Sequence, residues 1–90
     1  MSNPISERIK AGARIVDVRT PEEYADGAYP GAVNIPLAAL QARLGELEPR
    51  DKPLVLYCAS GARSAQAARL LKQAGFADVM NAGGLDDMPR

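Results

Sequence analysis

The sequence predicts one α/β domain with a small, mainly parallel sheet of four or five strands flanked by helices. Short apolar runs rich in β-branched residues alternate along the 90-residue chain with segments of helical spacing. The links between these segments are short and rich in glycine and proline. This alternation is typical of parallel strands joined by right-handed helical crossovers. No repeat or linker interrupts the pattern, so we expect residues 1–90 to form a single domain.

The first half of the chain contains two predicted helices, each opened by a capping residue and a proline. Asn3 caps a short helix, and Thr20 caps a second helix in which Glu23 completes a capping box. A β-branched strand over 13–18 lies between the helices, and a short strand over 32–35 follows them. The first of these strands is largely apolar, which predicts that both of its faces are covered.

The second half of the chain predicts two further helices and two further strands. Leucines recur at helical spacing over 37–47, and an apolar strand over 54–57 precedes a helix over 64–74. A last short strand over 78–80 leads into a predicted turn over 81–84. Ligand sites of such sheets lie outside the carboxyl ends of the strands, so the residues at those ends are the candidates for function.

Composition excludes several classes of function. Eleven basic residues balance eleven acidic ones, so no net charge attracts nucleic acid or a membrane surface. No apolar stretch has the length of a membrane span or signal peptide. We therefore expect a cytoplasmic monomer, or a periplasmic one if a leader has been removed. The chain has one cysteine and no histidine, which excludes an internal disulfide, the usual zinc sites and imidazole bases, and we expect no metal or organic cofactor.

The single cysteine, Cys58, ends an apolar strand and is followed by a loop of small residues and a helix start. A free cysteine is often only a buried apolar side chain, but that role would not require such a loop. Loop N–H groups, the helix N-terminus and Arg63 all favour a thiolate. Lowering a thiol pKa by two units takes about 2.7 kcal/mol, whereas a helix dipole supplies about 0.3–1 kcal/mol. We therefore expect all three to act together.

Four segments of the chain resemble the rhodanese (sulfurtransferase) family and run in the order of that family. These segments are residues 15–24, 30–36, 57–64 and 75–84, and together they extend over nearly the whole chain. The short ending after Gly84 is similar to that of the small single-domain members.

The resemblance implies a two-step sulfur transfer through a persulfide on Cys58, the catalytic residue. The thiolate would take the outer sulfur of thiosulfate or a similar donor and pass it to cyanide, a small thiol or a sulfur-carrier protein, while Arg63 attracts the anionic donor. Asp17 and Arg19 match an acidic–basic pair beside the site, which either supports it or is an ordinary ion pair at the strand end. The resemblance assigns substrate binding to the loop residues Ala59, Ser60, Gly61, Ala62, Arg63 and Ser64.

Two other functions stay open at this point. Cysteine phosphatases and arsenate reductases also place a thiolate beneath loop N–H groups, but five residues separate the cysteine and arginine of the phosphatase signature. Four residues separate Cys58 from Arg63. Rhodanese-like folds also serve as non-catalytic binding modules, which typically lack the active cysteine. The shorter loop and the retained cysteine favour sulfur transfer over both alternatives.

The predicted walls of the site depart from the common family pattern. Many members carry a histidine where this chain has Ala28 and Tyr29, and aromatic residues where Leu85 follows the paired glycines. Ala59 and Ala62 offer no side-chain specificity. We therefore expect an open, shallow site.

Overall fold

A four-stranded sheet forms the centre of the computed structural model, which describes residues 3–89. The strands are β1 (Arg14–Asp17), β2 (Val33–Asn34), β3 (Leu54–Cys58) and β4 (Val79–Gly84). All strand pairings are parallel and the order is β2-β1-β3-β4, so the carboxyl ends of the strands lie at one edge. The predicted fold class is thereby confirmed.

The helices begin at the capping residues that the sequence predicts. Asn3 Oδ1 accepts a hydrogen bond from the N–H of Ile5 at 2.9 Å, and Thr20 and Glu23 form the reciprocal capping box. No helix among residues 3–89 has the length and apolar character needed to cross a membrane. The helices are α1 (Pro4–Lys10), α2 (Pro21–Ala25), α3 (Leu37–Leu40) and α4 (Ala62–Gln73), with 3-10 helices at Gln41–Leu47 and Leu85–Asp87.

Both faces of the central strands are covered, because alternate residues of β1 and β3 enter different apolar clusters. Leu56 of β3 lies in one cluster with Leu71 of α4. Val55 lies in the other cluster, against Ile9 of α1. The same alternation places Cys58 in the α4 cluster. The cysteine side chain is thus directed towards the helix that follows it.

The segment over 81–84, predicted as a turn, is the second part of β4. Between Leu56 and Cys58, two steps along β3 match three steps along β4. This bulge includes Gly83, whose φ of 95° favours glycine. A glycine pair is typical both of a turn and of a bulge, since each interrupts regular strand pairing. Here the interruption is a bulge, and the strand continues to the edge of the sheet.

Two predicted helices differ from the structure in type or start. The segment over 37–47 is α-helical only for its first turn and continues as a 3-10 helix with a kink at Arg43, where φ is −117°. The helix predicted over 64–74 begins earlier, at Ala62. Arg63 therefore lies in the first turn of a helix and not in the preceding loop.

Candidate active site

The candidate site lies at the carboxyl edge of the sheet, where β3 leads through a short loop into α4. Cys58 is the last residue of β3, and its side chain is only 1% exposed. Gly61 precedes the helix with a φ of 102°, which allows the chain to turn within the three residues between strand and helix. The expectation of an open, shallow site is wrong for the sulfur itself, because the thiol lies buried behind this turn.

Hydrogen-bond donors reach the sulfur from the loop and from α4. The N–H of Gly61 donates to Cys58 Sγ at 3.0 Å, and the Ser64 hydroxyl lies 3.4 Å from it. Burial raises the pKa of the Cys58 thiol, but hydrogen bonds from the Ser64 side chain and from the N–H groups of Ser64, Ser60 and Gly61 outweigh burial and lower it to about 7, from 9.0. The lowered pKa increases the ionised fraction of the thiol at neutral pH.

The hydroxyl of Ser64 has several acceptors within reach but only one proton to donate. Besides Cys58 Sγ, these acceptors include Asn81 Oδ1 at 2.6 Å and the carbonyl oxygen of Gly61 at 3.1 Å. Asn81 Oδ1 also accepts from the N–H of Gly83 at 2.9 Å. The sequence predicts Asn81 only as part of a turn. Its place just before the paired glycines was the available signal.

The guanidinium of Arg63 is paired with the carboxylate of Glu23. Arg63 Nη1 donates to Oε1 at 2.7 Å, and Nη2 donates to Oε2 at 3.0 Å. Glu23 Oε1 also accepts from the N–H and the hydroxyl of Thr20, at 3.0 and 3.1 Å. The hydrogen bonds from Arg63, and then those from Thr20, lower the pKa of Glu23 to about 2. The sequence predicts the capping role of Glu23 but not its contact with Arg63.

Asp17 and Arg19 form a buried ion pair at the end of β1. Arg19 Nη2 lies 2.7 Å from Asp17 Oδ2, and the two residues are 7% and 0% exposed. The Tyr57 hydroxyl donates to Asp17 Oδ2 at 2.8 Å and accepts from the N–H of Tyr29 at 3.0 Å. Within the described residues, no hydrogen bond joins this pair to Cys58. The pair thus reaches the site through Tyr57, the residue before the cysteine.

The loop rests on the backbone of β4. A Cβ at Gly84 would overlap the carbonyl oxygen of Ala59, and a Cβ at Gly61 would lie 3.3 Å from the Cα of Gly83. At Gly84, therefore, no room exists for a side chain between strand and loop. Gly83 and Gly84 thus allow the loop to pack directly on the backbone of β4. This packing role differs from the role of the glycines in a nucleotide-binding loop.

Known proteins resemble the chain over most of its length. A sulfurtransferase of Allochromatium vinosum is 44% identical over 70 residues, which cover 78% of this chain and 64% of that protein. The chain thus spans slightly less than two thirds of that relative. The thiosulfate sulfurtransferase PspE of Escherichia coli is 39% identical over 74 residues, which cover 81% of this chain and 71% of PspE.

The same likeness extends to solved structures. The structure described as a rhodanese with anions from E. coli superposes with a TM-score of 0.80 at 38% identity, covering 87% of this chain and 95% of that one. The resemblance to small single-domain members is thereby confirmed. The family model described as "Rhodanese-like domain" matches residues 3–87. On this match, which extends over nearly the whole chain, the chain belongs to the rhodanese-like family.

Proposed function

We propose that the protein is a sulfurtransferase that carries a sulfur atom as a persulfide on Cys58. The observation that carries this proposal is the set of donors around the sulfur, with the Gly61 N–H at 3.0 Å and the Ser64 hydroxyl at 3.4 Å. No histidine exists in the chain, so the surroundings must ionise the thiol in place of a base. Relatives named as sulfurtransferases support the same reaction.

The reaction proceeds in two nucleophilic steps. The Cys58 thiolate attacks the outer sulfur of thiosulfate, a new S–S bond forms, and sulfite leaves with the electron pair of the old S–S bond. A nucleophilic acceptor, such as cyanide, a small thiol or a sulfur-carrier protein, then attacks the outer persulfide sulfur and releases the thiolate. Neither displacement requires a histidine base. This agrees with a site in which hydrogen bonds, and not a base, favour the ionised form of the Cys58 thiol.

The loop stabilises the charge that the persulfide carries. Its terminal sulfur projects beyond Cys58 Sγ, where the N–H groups over 59–64 serve as donors without reorganisation. Ala59 and Ala62 are exposed at the opening and add no bulk. Because Cys58 is 1% exposed, the site selects donors that present a single sulfur atom end-on. The outer sulfur of thiosulfate has this shape.

The supporting pair acts at a distance from the sulfur. Asp17, paired with Arg19, accepts the hydrogen bond of the Tyr57 hydroxyl and thereby holds the strand end that carries Cys58. We therefore assign these two residues a positioning role. We also propose that the protein acts as a single-domain monomer. The reducing cytoplasm suits the reaction because it keeps a free thiol reduced.

The test combines intact-mass measurement with a thiosulfate:cyanide assay. After treatment with thiosulfate, the wild-type protein is expected to gain the mass of one sulfur atom and to release it as thiocyanate on addition of cyanide. Cys58→Ser should retain the fold, as measured by circular dichroism, and lose both signals. Absence of the added sulfur on the wild-type protein would instead support a binding module. Hydrolysis of a small aryl phosphate without sulfur uptake would support phosphatase chemistry.

A further inference from the structure

The positive charge of Arg63, at the opening of the Cys58 site, is paired with the negative charge of Glu23. Arg63 and Glu23 form a two-point ion pair, and their side chains are 36% and 34% exposed. The hydrogen bond to Glu23 raises the pKa of Arg63, and the charges of Glu23 and Cys58 contribute further to the rise. The guanidinium extends from the first turn of α4, next to Ser64, whose hydroxyl lies 3.4 Å from the sulfur, and the charge in contact with it belongs to Glu23.

Glu23 is held in place from its own helix. Its Oε1 accepts from the N–H and the hydroxyl of Thr20, and its N–H donates to Thr20 Oγ1 at 3.2 Å. The carboxylate cannot leave Arg63 by a simple side-chain rotation without also losing its hydrogen bonds to Thr20, which are one half of the capping box. The ion pair therefore has one fixed partner, Glu23, and one that reaches across from α4.

We propose that Glu23 is a specificity-determining residue that neutralises Arg63 and so limits the preference of the Cys58 site for anionic sulfur donors. The effect on donor choice rests on the proposed sulfur transfer. The net charge at the opening of the site can be measured whether or not the protein transfers sulfur. A free guanidinium favours thiosulfate, a dianion, over neutral donors. A paired one gives a much weaker preference. The site then accepts anionic and neutral donors more evenly.

Alkylation of Cys58 by two reagents tests this charge directly. Iodoacetate is anionic and iodoacetamide is neutral, and both react with the same thiolate. The ratio of their rate constants therefore cancels the ionised fraction and reports the local charge. Glu23→Gln is expected to raise the ratio of iodoacetate to iodoacetamide about two- to fivefold, a range typical of a partly exposed ion pair. The increase should diminish at high salt.

The variant and its control differ in only one contact. Glutamine still accepts the hydrogen bonds of the capping box, so α2 keeps its start. Glu22→Gln removes the same charge from the neighbouring, exposed position, where no described hydrogen bond holds the side chain. The ratio should stay at the wild-type value in this control. An equal rise in both variants would overturn the proposal, because general charge and not the ion pair would explain it.

The double variant shows whether Arg63 acts as part of a neutralised ion pair or as a free cation. Arg63→Gln alone leaves the charge of Glu23 uncompensated and should lower the ratio, whereas Glu23→Gln with Arg63→Gln should restore the wild-type ratio. A double variant well below the wild type would overturn the proposal, since Arg63 would then act as an unpaired charge. Arg63→Gln leaves the capping box of α2 unchanged, so its lowered ratio keeps the test decisive even if Glu23→Gln is less stable.

Sulfur-transfer kinetics provide the second readout. Glu23→Gln should lower the KM for thiosulfate by a factor similar to the change in the alkylation ratio, with a smaller effect on kcat, and Glu22→Gln should leave KM unchanged. A raised ratio with an unchanged KM would contradict the role of Glu23 in donor choice. A raised ratio in a protein that transfers no sulfur would support the charge assignment and overturn the proposed function.

Discussion

The hydroxyl of Ser64 lies between two competing acceptors, the sulfur of Cys58 and the side-chain oxygen of Asn81. The contact with Asn81 is the shorter, 2.6 Å against 3.4 Å. A thiolate is a stronger acceptor than a thiol, because hydrogen bonds to an ionised group are the stronger ones. The hydroxyl therefore stabilises the ionised sulfur more than the protonated one, and this difference lowers the pKa of Cys58.

The reactivity of Cys58 should follow a pH profile with a midpoint of about 7. Because the folded-state pKa lies below the ordinary value of 9.0, the fold favours the thiolate. The resulting contribution to stability is complete above the ordinary pKa and is lost as pH falls through the folded-state value. Iodoacetamide kinetics against pH measure the midpoint directly. A midpoint near the ordinary value would contradict the hydrogen-bonded thiolate.

Ser64→Ala should move that midpoint upwards by about one unit, since it removes a hydrogen bond to a charged group. Ser60→Ala is the matched control, because Ser60 stabilises the thiolate through its backbone N–H and not through its side chain. The same alkylation profile is measured for both variants. Equal shifts in the two variants would show that the Ser64 side chain has no special part.

The turn between β3 and α4 requires glycine for two separate reasons. Gly61 has a φ of 102°, and a Cβ at this position would lie 3.3 Å from Gly83 Cα. Gly12 has a similar φ of 96°, but a Cβ there would meet nothing within 4 Å. The two positions therefore share the backbone strain and differ in the steric contact.

Gly61→Ala should reduce stability by more than Gly12→Ala, which carries only the strain of about 1–2 kcal/mol. It should also slow sulfur transfer about tenfold or more, because displacement of the loop moves the Gly61 N–H away from the sulfur. Urea denaturation and single-turnover sulfur loading measure the two effects. If both variants lose the same stability and activity, the contact with β4 has no importance.

Elements whose signals are local were predictable from the sequence. Asn3 and Thr20 cap helices because the atoms they bind belong to the next few residues. The meeting of strand ends beside Cys58 followed from parallel topology alone. The ion pair between Glu23 and Arg63 joins residues 40 positions apart, and no local pattern predicts such a contact. Gly83 illustrates a different limit, since turns and bulges use the same residue type.

Across the whole molecule, a buried polar network holds two strands in register beside the site. The hydroxyl of Tyr57 bridges Asp17 Oδ2 and the N–H of Tyr29 in a residue that is 0% exposed. Asn34 adds β2 to this network, since its Nδ2 donates to the carbonyl oxygens of Asp17 and Arg19 at 3.0 and 2.9 Å. The carboxyl edge is therefore fixed by polar contacts, whereas the two apolar clusters hold the rest of the sheet.

Tyr57→Phe should cost about 1–3 kcal/mol of the free energy of unfolding, because it removes the buried hydrogen bond to Asp17 Oδ2 and also leaves the Tyr29 N–H without its acceptor. Tyr24→Phe is the matched control, since its hydroxyl makes a single hydrogen bond, to the carbonyl oxygen of Ala32, at a partly buried position. Its loss should cost about 1 kcal/mol. Urea denaturation of both variants measures the difference, and equal losses would contradict the bridging role of Tyr57.

The contact between Gly84 and Ala59 has a consequence for how this scaffold changes its chemistry. Main-chain atoms alone set the distance between β4 and the loop that joins β3 to α4. Side-chain substitutions at the exposed loop positions therefore leave the size of the loop unaltered. A loop with one more residue, the length used for phosphate, would find no space above the glycine and would have to arch outwards. A longer loop therefore requires a different backbone course in β4, so the loop and the strand must change together.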